Sequence, residues 1–181
     1  TIMKVHELFE AKERSILSVM GKQPEHVDGD FYCSDNKLTS LEGAPSSVGG
    51  NFFCSDNKLT SLERAPSSVG GTFFCSDNKL TSLEGAPSSV GGDFFCTANK
   101  LTSLHNIHKQ IKHIGSEHAD FNNNPIKSHV LGLLLIDGLK YVFLDNKKVE
   151  EIITKHLLGE RDVFACQEEL IEAGLEDFAQ L

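Results

Sequence analysis

Five cysteines, eight histidines and 26 acidic residues would allow this chain metal binding, thiol chemistry or acid–base catalysis. Spacing argues against each. Cys33, Cys54, Cys75 and Cys96 recur every 21 residues, and Cys166 stands apart. Zinc ligands come in close pairs such as C-x-x-C or C-x-x-H, and none is present. The regular interval instead gives each cysteine the same slot of a repeat. His105, His108, His113 and His118 crowd together, and histidines three apart on a helix could share a metal. No carboxylate or cysteine completes that set, so a solvated face accounts for it, and no metal site is expected. Serine, histidine and aspartate are plentiful, yet no G-x-S-x-G elbow sets a serine on a strained turn. The Gly-Gly pairs precede strands and do not open helices, which makes them turns and not phosphate cradles. Asp145, Glu150, Glu151 and His156 are the only acid–base candidates near the C-terminus, and helical-face solvation explains them as well. No cofactor is implied.

Charge narrows the partners. Seventeen basic residues against 26 acidic ones leave a net charge of −9. Such a surface repels phosphate backbones, which argues against nucleic acid and anionic membranes and favours a protein partner with a basic patch. The longest apolar run, Val130 to Ile136, falls far short of the ~20 residues that span a bilayer. Glu7 and Glu10 interrupt the N-terminal apolar residues, unlike a secretory leader. A cytoplasmic location is expected.

The repeat positions the four regularly spaced cysteines. Gly29–Gly49 reads GDFYCSDNKLTSLEGAPSSVG, Gly50–Gly70 reads GNFFCSDNKLTSLERAPSSVG, and Gly71–Gly91 reads GTFFCSDNKLTSLEGAPSSVG. A fourth copy opens as GDFFCTANKLTSL and then diverges. Phe52 and Cys54, two apart, make one face of a short strand. Asn57 follows, and its amide can bond neighbouring coils in a ladder of Asn36, Asn57, Asn78 and Asn99. Leu59 and Leu62 point back to the core. Ala65-Pro66 imposes extended backbone, Val69 closes the coil, and Gly70-Gly71 turns sharply into the next strand.

This L-x-L-x-x-N-x-L frame, with Phe and Cys in the strand slots, resembles the leucine-rich-repeat superfamily. The L-T-S-L-x-x-x-P flavour is similar to secreted effectors of enteric pathogens. Tracts such as CSDNKLTSLEGAPSSVGG followed by IKSHVLGLLLIDGL are more similar still to repeat proteins of tailed bacteriophages. The resemblance implies an α/β solenoid with short parallel β-strands on its concave face, one strand per repeat in a sheet of five or six. It implies a binding role and no particular chemistry.

The expected organisation has three parts. Residues 1–26 form an N-terminal helical cap, with apolar residues at helical spacing from Ile2 to Met20. Residues 27–126 hold the repeats, opening on Pro24-Glu25-His26-Val27 as the end of a half repeat. The last repeat is degenerate, with Ala119, Phe121, Asn124 and Ile126 in the core slots. Residues 127–181 form a cap of helix, strand, helix and helix. Its first helix runs through Val130–Ile136 from a Ser128 cap, its strand over Lys140–Leu144. The two later helices run from Asp145 or Asn146 to Leu157 and from Arg161 to Ala173.

If Phe52 and Cys54 face inward, Asn51, Phe53 and Ser55 face out. Stacked coils then carry an exposed row of Tyr32, Phe53, Phe74 and Phe95. Asp30, Asn51, Thr72 and Asp93 flank it on one side, Ser55 and Ser76 on the other. The rings either stack on one another and do nothing more, or form a contact patch for a partner. The favoured function is a non-catalytic protein-binding module acting on a host bacterial protein such as a defence factor. A virion or assembly component, or an enzyme with its site in the C-terminal cap, are the alternatives. Neighbouring cysteines lie within disulfide reach, but in-register thiols point the same way. Thiol titration of the denatured, non-reduced protein should count five free thiols; fewer would place bonds between coils.

Overall fold

The structure is a computed structural model that describes residues 14–181. The part of the expected N-terminal helix on residues 2–13 lies outside the described residues. The chain winds into a parallel-strand β-solenoid of about six turns. A five-residue helix, α1 (Ile16–Met20), leads in, capped by the Ser15 hydroxyl on the Ser18 N–H. Successive strands then alternate between two sheets, so that each repeat supplies one strand to each. The strands are β1 (His26–Val27), β2 (Phe31–Tyr32), β3 (Ser47–Val48), β4 (Phe52–Phe53), β5 (Ser68–Val69), β6 (Phe73–Phe74), β7 (Ser89–Val90), β8 (Phe94–Phe95), β9 (His113–Ile114), β10 (His118–Asp120) and β11 (Tyr141–Phe143).

The six-stranded sheet runs β11-β10-β8-β6-β4-β2 and the five-stranded sheet β1-β3-β5-β7-β9. One strand per repeat is therefore corrected to two. The Pro-Ser-Ser-Val stretch has no alternation long enough to read as a strand by itself. It pairs because the coil 21 residues away offers matching groups: Gly70 N–H donates to Val48 O at 2.8 Å and Gly91 N–H to Val69 O at 2.8 Å. Register is in phase throughout, with Phe31, Phe52, Phe73 and Phe94 aligned and continued by Ala119 and Val142.

That alignment stacks like on like in the core. Phe31, Phe52, Phe73 and Phe94 are buried, as are the four repeat cysteines, Leu38, Leu59, Leu80 and Leu101. Successive inner phenylalanines stack with centroids 5.5, 5.4 and 5.5 Å apart. The asparagines close the turn. Asn57 Nδ2 donates to Cys33 O and Cys54 O, both at 3.0 Å, while its Oδ1 accepts from Leu38 N–H at 2.8 Å. Asn78 and Asn99 repeat the pattern, and Asn124 extends it to Cys96 O at 2.8 Å and Leu101 N–H at 3.1 Å.

The glycine pairs have a different cause from the one expected. A Cβ on Gly70 would lie 2.2 Å from Gly49 O, and one on Gly71 2.4 Å from Asn51 Oδ1. Close approach between coils excludes a side chain there; the turn itself does not require positive φ.

After the repeats, a short helix α2 (Ile107–Gln110) lengthens one coil. The expected Ser128-capped α-helix is instead a 3-10 helix, Leu131–Leu135, with Val130 at its N-cap and no side-chain cap. Its apolar residues fall on successive positions and are buried nearly all round, so no helix face is favoured. Asn146 caps α3 (Lys147–Leu158), and Asp162 caps α4 (Val163–Glu172), accepting from the Phe164 and Ala165 N–H groups. Arg161 lies outside α4, in left-handed backbone at φ 56°. Its guanidinium donates to the carbonyls of Ile136, at 2.6 Å, and Leu139. It thereby supplies donors for carbonyls at the end of the 3-10 segment. Among the described residues, no helix is long and apolar enough to cross a membrane.

The asparagine ladder makes a sharp expectation. Asn78→Ala would strand Leu59 N–H in a dry corner and take one of two donors from Cys54 O, which keeps Asn57; a buried group left unpaired costs roughly 1–3 kcal/mol, and each lost bond adds about 1 kcal/mol. Urea unfolding should show a loss of about 3 kcal/mol, against within about 0.5 kcal/mol for the exposed Lys79→Ala. Equal losses for the two variants would remove the ladder from its structural role.

Candidate functional site

The outer face of the six-stranded sheet carries the sequence-derived binding residues. Tyr32, Phe53, Phe74 and Phe95 do form a row. Their centroids are 4.6, 4.6 and 5.3 Å apart, with planes within 4°, 6° and 19° of parallel. Strand spacing of ~4.8 Å imposes this distance. Ring faces are therefore turned towards neighbouring rings, and ring edges towards solvent. Tyr32, at the end of the row, is 61% exposed, whereas Phe53, Phe74 and Phe95 are half-buried.

The flanking column has a structural duty that periodicity did not show. Asp30 Oδ1 accepts from Asn51 N–H at 2.7 Å, Asn51 Oδ1 from Thr72 N–H at 2.7 Å, and Thr72 Oγ1 from Asp93 N–H at 3.1 Å. Asp, Asn and Thr share one property here: an acceptor oxygen close to the backbone. Their membership in the Asx and hydroxyl turn class was the available signal. Tyr32 OH donates to Asp30 Oδ2 at 2.9 Å. The Asp30 carboxyl is accordingly held below its usual range, first by the Asn51 N–H and then by Tyr32, while Asp30 pushes the Tyr32 hydroxyl up. On the other side, Ser76 Oγ accepts from Thr97 N–H at 3.2 Å, and Ser55 is half-buried. Four of the named polar residues thus donate side-chain acceptors to the next coil, leaving the ring edges as the freer part of the face.

Beyond Phe95 the row changes. Asp120 is the register partner of both Phe95 and Phe143. His118 stacks on Tyr141 at 5.1 Å and on Phe143 at 6.2 Å, with planes within 16° and 5°. A second aromatic group thus sits one coil past the first. Past the strands, Asp35, Asp56 and Asp77 line up in left-handed backbone, φ 58°, 56° and 55°. The Asp56 carboxyl is pushed up by partial desolvation and then by its two flanking carboxylates.

The histidines scatter to separate duties. His105 meets Leu181 O, His113 meets Asp137 at 2.9 Å, and His108 packs at Gly132. Partial burial first, then Lys109 and Lys112, lower the His108 pKa. Among the described residues, no group of three His, Cys, Asp or Glu is placed to hold a metal ion. The acid–base candidates are also dispersed. Asp145 accepts from Asn123 N–H, Glu150 from Leu144 N–H, and His156 bonds Glu169 at 2.8 Å. A groove of about 270 Å³ beside them, lined by Lys148, Glu151, Ile152, Lys155 and Glu169, takes in only Glu151 of the four. The five cysteines are free and buried.

Comparison of the chain with protein-family models, with curated proteins and with solved structures returns no match.

Burial pushes the Cys33 and Cys166 thiols up to about 12 and raises those of Cys54 and Cys75. In the unfolded chain they would ionise near their ordinary ~8.5. A folded value above the unfolded one gives stability that is complete below the unfolded value and lost as pH rises towards the folded one. Each thiol should withdraw about 1.4 kcal/mol per pH unit across that window. Denaturant midpoints should therefore fall from about pH 9 upward, and Cys33→Ala with Cys166→Ala should flatten the slope. An unchanged slope in the double variant would assign the alkaline loss to other groups.

Proposed function

We propose that the chain is a leucine-rich-repeat protein whose outer six-stranded face binds another protein without catalysis. One observation carries this reading. The inner phenylalanine row already fills the core, and a second, solvent-facing aromatic row runs beside it over four coils. Exposed aromatic surface bordered by polar groups characterises interfaces, and aromatics are enriched among binding anchors. The coil design supports the family assignment: an F-x-C strand, a buried asparagine ladder and paired leucines in each turn. In this reading α1 and the segment 127–181 act as caps that shield the ends of the stack. The stacked geometry refines the chemistry. Ring faces are occupied by neighbours, so a partner meets ring edges, and apolar side chains lying across the row fit them best. The −9 net charge favours a partner with a basic patch.

The resemblance to repeat proteins of tailed bacteriophages supports a narrower version, in which the partner is a host bacterial protein such as a defence factor and binding occurs in the cytoplasm. Affinity capture from bacterial lysate, followed by binding measurements with the purified partner, tests the face. Phe53→Ala with Phe74→Ala should lower affinity at least about thirtyfold, since an anchor is worth ~2 kcal/mol or more. The fold should lose only about 1 kcal/mol per ring pair. Glu63→Ala with Glu84→Ala, on the exposed turn away from the rings, should leave affinity within about twofold. The reverse pattern would move the working surface elsewhere.

A further inference from the structure

The aromatic row is broken at one coil, and the break has its own chemistry. Strands β8, β10 and β11 are consecutive neighbours in the sheet, and Phe95, Asp120 and Phe143 share one register position across them. Two strand spacings set Phe95 and Phe143 about 10 Å apart. The side chain between them is short and charged, where every earlier coil carries a ring. Among the described residues, Phe95 stacks on a ring on one side only, that of Phe74. Its other side faces the break. The opposite wall is the stacked group of His118, Tyr141 and Phe143, with Tyr141 38% and Phe143 37% exposed. Two flat aromatic walls thus flank a carboxylate floor.

The floor is negative and uncompensated. Asp120 Oδ1 accepts from Asn122 N–H at 2.9 Å, an Asx turn that fixes the carboxylate in place. Among the described residues its other oxygen has no hydrogen-bond or ion-pair partner. Asp93, one coil back, has only His118 Nδ1 at 3.4 Å, and that nitrogen already donates to Ser116 O at 2.8 Å. Asp145, one coil on, pairs with a backbone N–H and with no cation. No lysine or arginine among the described residues forms an ion pair with any of the three. Lys140, on the adjoining turn, is taken by Glu117.

We propose that this break is a recognition slot for an arginine side chain of the protein partner. The inference rests on the reading of this face as a protein-binding surface. Three features select the chemistry. Aromatic ring faces attract cations, and the Phe95 face towards the break carries no stacked ring, while on the opposite wall His118 lies over Tyr141 and Phe143. A fixed carboxylate adds a charge-assisted hydrogen bond. The space above Asp120, between Phe95 and the His118 group, admits a planar group lying flat on the Phe95 ring, which suits a guanidinium better than a compact, strongly hydrated ammonium. Inside the row a cation finds no open ring face, and at its other end, beside the exposed Tyr32 ring, the Asp30 carboxylate is already bonded by Tyr32 OH and Asn51 N–H, so the slot concentrates at one coil a preference that net charge spreads over the whole surface.

The test needs no identified partner. The full chain is titrated with an N-acetylated, amidated Gly-Arg-Gly peptide, and with the same peptide carrying citrulline, the neutral isostere of arginine. NMR follows the ring resonances of Phe95, His118, Tyr141 and Phe143. The arginine peptide should shift these four saturably, while the citrulline peptide shifts them at least tenfold more weakly. Asp120→Asn keeps the Asx acceptor and removes the charge, and should weaken the arginine peptide about tenfold. Asp120→Phe, which continues the ring row, should abolish the shifts. If Asp120→Phe does not fold, Asp120→Asn decides. Equal binding of the two peptides, arginine shifts that persist in Asp120→Asn, or shifts confined to Asp35, Asp56 and Asp77 would overturn the slot. Failure here with capture still lost in Phe53→Ala/Phe74→Ala would refute the slot and leave the binding face standing. Capture insensitive to the double variant would instead refute the face.

Discussion

Three successive turns of this solenoid leave a leucine N–H and two cysteine carbonyls pointing into a corner without water, and in each one asparagine amide answers them. Asn57, Asn78, Asn99 and Asn124 each bond two coils at once, so the same side chain that closes a turn also sets the distance to its neighbour. A buried amide with both ends satisfied tolerates little displacement, because a lost bond leaves an unpaired polar group behind. The parallel register of both sheets and the alignment of the buried rings follow from that fixed stagger.

In-phase stacking has a price at the surface. It forces each outward residue to lie beside its own copy one strand spacing away. Rings in that arrangement stack, hydroxyls and carboxamides reach the next backbone N–H, and like charges meet like charges. The Tyr32 row, the Asp30 column and the Asp35 row are three outcomes of the same geometry. The first gains dispersion contacts and the second satisfies an edge N–H. The third carries mutual repulsion, which its exposure to water screens.

Departure from the repeat is where one coil becomes distinguishable from another. At the turn after α2, Asp120 takes the place of Phe95 and interrupts the outer aromatic row, while the inner row passes from Phe94 to the buried Phe121 at 5.9 Å, tilted by 40°. Beyond the last strand, α3 packs against β11. The Arg161 guanidinium, the His156–Glu169 pair and the Lys155–Glu169 pair tie the C-terminal helices together. Lys155 and then His156 hold the Glu169 carboxyl below its ordinary range, so their contribution is present above the usual carboxylate value and fades as pH falls below it.

The sequence by itself determined the period, the repeat residues that are buried, the outward aromatic row, the positions of α3 and α4, and the asparagine ladder at Asn57, Asn78 and Asn99, though not at Asn36, whose amide stays on Ser34 O. These are legible because the 21-residue copies align identical residues, and because the caps and glycines of the two helices are local signals. Tertiary structure decided the rest. Two-residue Ser-Val strands carry no periodicity of their own and exist only because coils 21 residues apart exchange hydrogen bonds. The Leu131–Leu135 segment is apolar on every side, so its 3-10 winding was set by the space between α2, α3 and α4. The acceptor role of Asp30, Asn51 and Thr72, the approach that excludes a Cβ at Gly70, and the placing of Asp120 between two rings all depend on contacts between coils. Contacts of that kind are fixed by stacking distance, which no single stretch of chain contains.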